Sequence, residues 1–164
     1  MPRYQCTRCG QEHDGIPAFH VDRPDPYWDV PEDERDADVL LTSDSCVIAE
    51  RFFFVHGCLE IPIRDTDELF IWGVWVSLKE ENFYIWQDNY DTVQRSHLGP
   101  FFGWLCTRPP IYRDTMHMKT MVHLRDNGVR PWIELEATDH PLAKDQLEGI
   151  TLERAMEIVH QLQD

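Results

Sequence analysis

Residues 51–78 read RFFFVHGCLEIPIRDTDELFIWGVWVSL, and the second half of this stretch decides the fold. From Leu69 onward, Leu69, Ile71, Gly73 and Trp75 alternate with Phe70, Trp72, Val74 and Val76. Side chains alternate in direction along a strand, so both faces of this element are apolar and neither can face water. The pattern predicts a central strand covered on both sides. Trp72 and Trp75 fall on opposite faces, and each needs about 150–250 Å² of covering surface.

Just upstream, Phe52 to Ile63 predicts a longer strand interrupted near Gly57, with Leu59, Ile61 and Ile63 on one face. Pro62 has no N–H to donate, which places that end at an edge or a bulge. Arg64 to Glu68 forms the turn into the central strand. Downstream, Ser77-Leu78-Lys79-Glu80 has the form of a capping box, and Phe83, Trp86 and Tyr90 follow at helical spacing. A helix over 79–89 crossing the sheet is expected, its aromatics in the core. FFGWLC at 101–106 predicts a short strand.

From Thr115 the period returns to two, and Asp126-Asn127-Gly128 is a hairpin signal, with 130–136 as the returning strand. Thr138-Asp139-His140-Pro141 starts a helix that closes at Gly149. Thr151 caps a second helix with Leu152, Ala155, Met156, Val159 and Leu162 in one stripe. On the N-terminal side, VLL at 39–41 and CVIA at 46–49 flank a turn. Residues 22–38, DRPDPYWDVPEDERDAD, predict a surface loop with at most one helical turn from Pro31 to Asp36, pinned by Tyr27 and Trp28. The fold class is α+β: a single domain over 1–164, mainly an antiparallel sheet with a central aromatic strand, one crossing helix and two C-terminal helices. It divides into a metal knuckle at 1–20, the Pro/Asp-rich loop at 21–38, the sheet with its helix at 39–136, and the C-terminal helices at 137–164.

Thirty acidic against fifteen basic residues leave a formal charge of −15. That charge repels a nucleic-acid backbone and an anionic membrane surface, and the basic residues are scattered singly rather than gathered into a patch. Nucleic acid and membrane are therefore disfavoured as partners, and the acidity serves solubility alone or, as the alternative, a basic protein partner. The opening MPRYQC carries no signal-peptide core, so a cytoplasmic location is expected. In that compartment five cysteines read as thiols or metal ligands rather than disulfides.

Cys6-Thr7-Arg8-Cys9-Gly10 is the strongest chemical motif. Two thiolates two residues apart can bind one tetrahedral zinc ion, and Gly10 permits the tight turn of such a knuckle. His13 can supply a third ligand. The fourth must come from His20 nearby or, through the fold, from Cys46, Cys58 or Cys106. No evident helix opens at the pair to lower a thiol pKa, which counts against a redox dithiol.

CxxCGxxH at 6–13, DSCVI at 44–48, LEIPI at 59–63, WGVWVSL at 72–78, FGWL at 102–105, RPWIELEATDHPLA at 130–143 and QLEGI at 146–150 together resemble a bacterial family, domain of unknown function number 2199. The resemblance implies a bacterial protein and names no activity. It also implies that Cys6, Cys9, His13 and Cys46 occupy recurring positions, and that Cys58 and Cys106 are particular to this chain. That favours Cys46 as fourth ligand in a closed, structural Cys₃His site.

Two functions from different classes are consistent with these residues. One is a non-enzymatic, zinc-stabilised module that binds a basic protein, for example as an inhibitor or immunity-like partner. The other is a zinc-dependent hydrolase with an open position at Cys6, Cys9 and His13, Glu12 or Asp139 as base and His140 as proton carrier. A small-molecule pocket formed by Arg130, Asp139, His140 and Gln146 beside Trp132 is a third arrangement the residue types allow.

Overall fold

The computed structural model describes residues 3–5 and 12–163. In chain order it holds β1 (Arg3–Gln5), β2 (Glu12–Asp14), β3 (Phe19–His20), α1 (Arg35–Asp38), β4 (Val39–Leu41), β5 (Ser45–Ile48), β6 (Phe52–Pro62) and β7 (Leu69–Leu78). These are followed by α2 (Glu80–Asp88), β8 (Phe101–Leu105), β9 (Lys119–His123), β10 (Trp132–Leu135), α3 (Pro141–Glu148) and α4 (Leu152–Gln163).

The strand read from both-sided apolarity is β7, and it is covered on both faces. Phe70, Trp72, Val74 and Val76 enter the main core with Val55, Leu59 and Ile61 of β6. Trp75 turns the other way into a second cluster with Cys46, Ile48, Phe54 and Cys106. β6 and β7 form the longest ladder, antiparallel from Phe53↔Leu78 to Pro62↔Leu69. Burying each of these aliphatic or aromatic side chains contributes about 1.5–3 kcal/mol, so this hairpin alone anchors much of the core.

The α+β class holds, with one correction: the sheet closes. β7 pairs with β8, β8 with β9 and β9 with β10, all antiparallel. β10 then lies parallel to β6 at Trp132↔Cys58, which completes a five-stranded barrel. β4 and β5 extend from β6, and β3 adds parallel to β7. The closing seam depends on Gly57. A Cβ there would stand 2.5 Å from Ile133 Cδ1 and 3.0 Å from the Pro131 carbonyl, so only a bare backbone lets β10 approach. The Cys58 N–H donates to the Pro131 carbonyl at 2.8 Å. The predicted interruption near Gly57 is therefore absent: β6 runs unbroken through it, because the glycine makes room for a neighbour rather than a bend.

Two other readings are corrected by how side chains are used. Ser77 does not cap the helix. It lies within β7, where its Oγ accepts the Trp104 N–H, and the residue before α2 is Lys79, with no side-chain cap. The predicted hairpin exists, with Ile133 opposite Val122, and Asn127 and Gly128 carry φ of 62° and 73° as a tight turn demands. Its strands, however, do not reach the turn. The loop opens around Arg95, which is 2% exposed and donates to the carbonyls of Arg125 and Val129 at 2.8 and 3.0 Å.

Phe83 and Trp86 of α2 are buried, Phe83 against Phe53 with ring centroids 5.1 Å apart. Tyr90 lies beyond the helix, exposed, and donates to Asp44 Oδ2 at 2.5 Å. α4 buries Ala155, Met156, Ile158 and Val159, and Thr151 Oγ1 accepts the Arg154 N–H at its start. The acidic loop folds as two short 3-10 turns, Asp25–Asp29 and Glu32–Glu34, running into α1.

Candidate functional site

An apolar groove lies over β6, β7 and β8 on the outside of the barrel. FFGWL alternates in β8, so Phe101 and Leu105 point into the core while Phe102 and Trp104 remain 43% and 41% exposed. Phe102 and Trp104 meet edge to face at 5.0 Å. Together with Phe52, Phe54 and Leu78 they border a groove of about 720 Å³. An exposed cluster of large apolar side chains marks an interaction surface more than a scattered one does.

The acidic loop supplies another border of this groove, through Pro26, Asp29 and Val30. Residues 22–38 contain eight acidic and two basic side chains. Both arginines are held within the loop: Arg23 and Arg35 stand 5.0 and 4.9 Å from the Tyr27 ring centroid, and Arg35 Nε donates to the Val30 carbonyl. All of the carboxylates except half-buried Asp25 are exposed. The loop is tied to the barrel by the Asp25 N–H, which donates to the Cys106 carbonyl at 2.9 Å. Arg51, Lys79 and His117 also line the groove, and Lys79 is paired with Glu81. Cys106 lies at the floor, where burial pushes its thiol up to about 11 despite hydrogen bonding with Ser77. A thiol that stays protonated is not a nucleophile. The groove therefore offers shape, apolar surface and a border of mixed charge, with the acidic loop at the Asp29 side.

Of the metal candidates, Cys6 and Cys9 lie outside the described residues. His13 is placed by its backbone in β2, opposite Tyr4 of β1. Gln5 and Glu12 are partners in this small antiparallel pair. Cys46 is fully buried among Ile48, Phe54, Trp75 and Cys106, and burial pushes its thiol up to about 11 against the opposing pull of Arg23. Cys58 is half-buried on β6, its thiol also raised by burial. Among the described residues, no three His, Cys, Asp or Glu side chains are grouped as a metal needs.

The weak catalytic candidates have structural work. His140 caps α3: its Nδ1 accepts the Leu142 N–H at 3.0 Å, which leaves Nε2 to donate to the Asp114 carbonyl at 3.0 Å. Asp139 is exposed and Glu12 lies in β2. Gln146 bridges α3 to β10, accepting from the Leu135 N–H and donating to the Ile133 carbonyl, both at 2.8 Å. Arg130 pairs with Asp44 at 2.8 Å. Trp132 and Gln146 share a cavity of about 560 Å³, but Arg130, Asp139 and His140 do not line it, so the four polar residues are not gathered into one pocket.

Sequence reasoning missed the groove because both faces of FFGWL are apolar and nothing in the string says which face stays uncovered. Among the described residues no helix is long and apolar enough to cross a membrane. No curated protein and no solved structure matches the chain. A family model described as "Uncharacterized protein conserved in bacteria (DUF2199)" matches residues 5–150, so the barrel, its groove and the acidic loop all lie within the match, and the chain belongs to that family.

Proposed function

We propose that the protein is a non-enzymatic protein-binding module that takes a segment of a partner carrying alternating basic and apolar side chains. The observation behind this reading is that the Phe52, Phe102 and Trp104 surface and Asp29, carried by the loop of eight carboxylates, border one groove of about 720 Å³. Apolar side chains of the partner would fill the groove while its Lys or Arg residues face the loop. The charge would mainly speed and select the encounter, and the aromatic contacts would hold it.

The N-terminal cysteine pair completes the reading as a structural zinc site, with Cys6, Cys9 and His13 as ligands and Cys46 as the fourth. The support is the motif spacing and the β1–β2 pairing, in which Gln5 and Glu12 are partners. Zinc there would fasten the hairpin; it carries no chemistry in this reading. Cys46 must lose its proton to serve, so metal uptake through it would release protons and strengthen with pH.

The test of binding uses the full chain and a panel of short peptides alternating Lys or Arg with Leu or Phe, followed by fluorescence anisotropy. Binding that weakens with salt, is lost in Phe52→Ser and Trp104→Ser, and is absent for the acidic counterparts is the expected result. Failure of the whole panel, or indifference to both substitutions, ends the proposal. Metal content of the purified protein and of Cys46→Ala tests the zinc site separately, with stoichiometric zinc falling in the variant as the expected result.

A further inference from the structure

Away from the groove, two imidazoles converge over a bare patch of β7. His56 on β6 is 4% exposed and stacks on its cross-strand partner Trp75, with centroids 4.7 Å apart and planes within 6°. Its Nδ1 lies 3.0 Å from the Ser43 carbonyl. A carbonyl only accepts, so Nδ1 carries the hydrogen and the lone pair of the neutral ring is on Nε2. That Nε2 is buried and has no hydrogen-bond partner. Burial also holds the ring below the ordinary imidazole pKa, with Arg130 and His20 adding to the effect against the Ser43 bond and Asp44.

His20, exposed at the end of β3, pairs with Gly73 and presents its ring edge-to-face to His56 at 5.6 Å. A Cβ on Gly73 would stand 2.1 Å from His20 Nδ1 and 3.0 Å from His56 Nε2. Both nitrogens thus border the space that a Gly73 side chain would fill, and the glycine is what leaves that space to the two rings.

We propose that His20 Nδ1 and His56 Nε2 form a ligand pair for a borderline transition-metal ion of the zinc, cobalt, nickel and copper class. Neutral imidazole suits these ions, which bond nitrogen at about 2.0–2.1 Å. The hydrogen bond from His56 Nδ1 to the Ser43 carbonyl is the outer contact that fixes a ligating histidine's tautomer and orientation. Among the described residues no third His, Cys, Asp or Glu side chain completes a group of three, so water entering on the exposed His20 side would supply the remaining positions. The site is separate from the one proposed at the N-terminal knuckle.

Cobalt(II) is the probe, titrated into the full chain after chelation and followed by absorbance together with the proton NMR signals of the histidines. Metal bound through thiolates shows a sulfur-to-cobalt charge-transfer band. The pair adds an equivalent that lacks this band and shifts the His20 and His56 resonances. His20→Ala, on the surface, and Gly73→Ala, which displaces the His20 ring, should each weaken this equivalent at least about tenfold while the fold is retained. His56→Gln should do the same. An equivalent that survives His20→Ala and Gly73→Ala, or the absence of any thiolate-free equivalent in the unmodified chain, overturns the proposal. A missing thiolate band would instead count against zinc at Cys6 and Cys9 and leave the pair standing.

Discussion

Asp126 fixes the backbone of Arg95, and the Arg95 side chain in turn holds backbone carbonyls on either side of Asp126. Asp126 Oδ1 accepts the backbone N–H groups of Arg95 and Ser96, both at 2.8 Å. The Arg95 guanidinium meanwhile donates to the carbonyls of Arg125, Tyr90 and Val129, at 2.8, 2.9 and 3.0 Å. This clasp sets the path of the loop between β9 and β10 and links it to the segment that follows α2. Replacing Arg95 by Met keeps the volume and removes every side-chain donor. The expected cost is about 2–4 kcal/mol, because several carbonyls lose their partner at once. Arg95→Lys should recover only part of it, since an ammonium cannot span the same carbonyls. Urea unfolding midpoints of the two variants check this.

The same clasp makes a pH prediction. The Ser96 and Arg95 N–H groups hold the Asp126 carboxyl below the usual carboxylate range. Between the folded value and the ordinary unfolded value of about 3.9, the unfolded chain binds more protons. The contribution is therefore complete above the unfolded value and is lost as pH falls through the folded one. Asp126→Asn should be less stable near neutrality and lose less than the parent between pH 5 and pH 2 (about the range in which carboxylates titrate), read from denaturation midpoints across that range.

Gly57→Ala should be destabilising by about 1–3 kcal/mol, the range for overpacking a close contact. The new methyl would press on Ile133 Cδ1 and Cγ1, which stand 2.5 and 2.6 Å from its ideal position. Ile133→Val removes Cδ1 and should relieve part of that strain. The double variant is then more stable than the sum of the single losses allows, a coupling measurable by a double-mutant cycle.

His140→Ala should lower stability by about 0.5–2 kcal/mol, the cost of a lost helix cap. Both imidazole nitrogens are engaged in holding α3, one to Leu142 and one to Asp114. Zinc content and peptide binding should be unchanged in this variant. A zinc content that falls with the fold intact would give His140 a role at the metal.

What could be read from the residue string was whatever carries its own period. β7 announces itself because both registers of an alternating pattern are apolar, and α4 because its stripe recurs at three and four residues. Asn127-Gly128 marked the hairpin, but the length of the loop depends on Arg95, 30 residues upstream of Arg125, and no local pattern encodes that. Barrel closure rests on one parallel rung between Cys58 and Trp132, and its trace in the sequence is Gly57, a residue that reads equally well as a break. Ser77 matched a capping box by spacing alone and was already taken up by the strand. The groove was hidden for a different reason, since exposed Phe102 and Trp104 look the same in sequence as buried Phe101 and Leu105. Likewise His20 and His56 meet only because β3 docks parallel to β7 over a glycine, a pairing no spacing rule anticipates.

The seam between β6 and β10 joins positions 58 and 132, so it cannot zip up until a long stretch of polypeptide has been ordered. Loop-closure entropy assigns it a late place in assembly, after the β6–β7 ladder, whose ends are far closer along the chain. By the same reasoning it is the stave at which the closed cylinder first springs apart. Amide hydrogen exchange at Cys58 should then outpace that at Leu59 and Ile61, although all three lie on one strand.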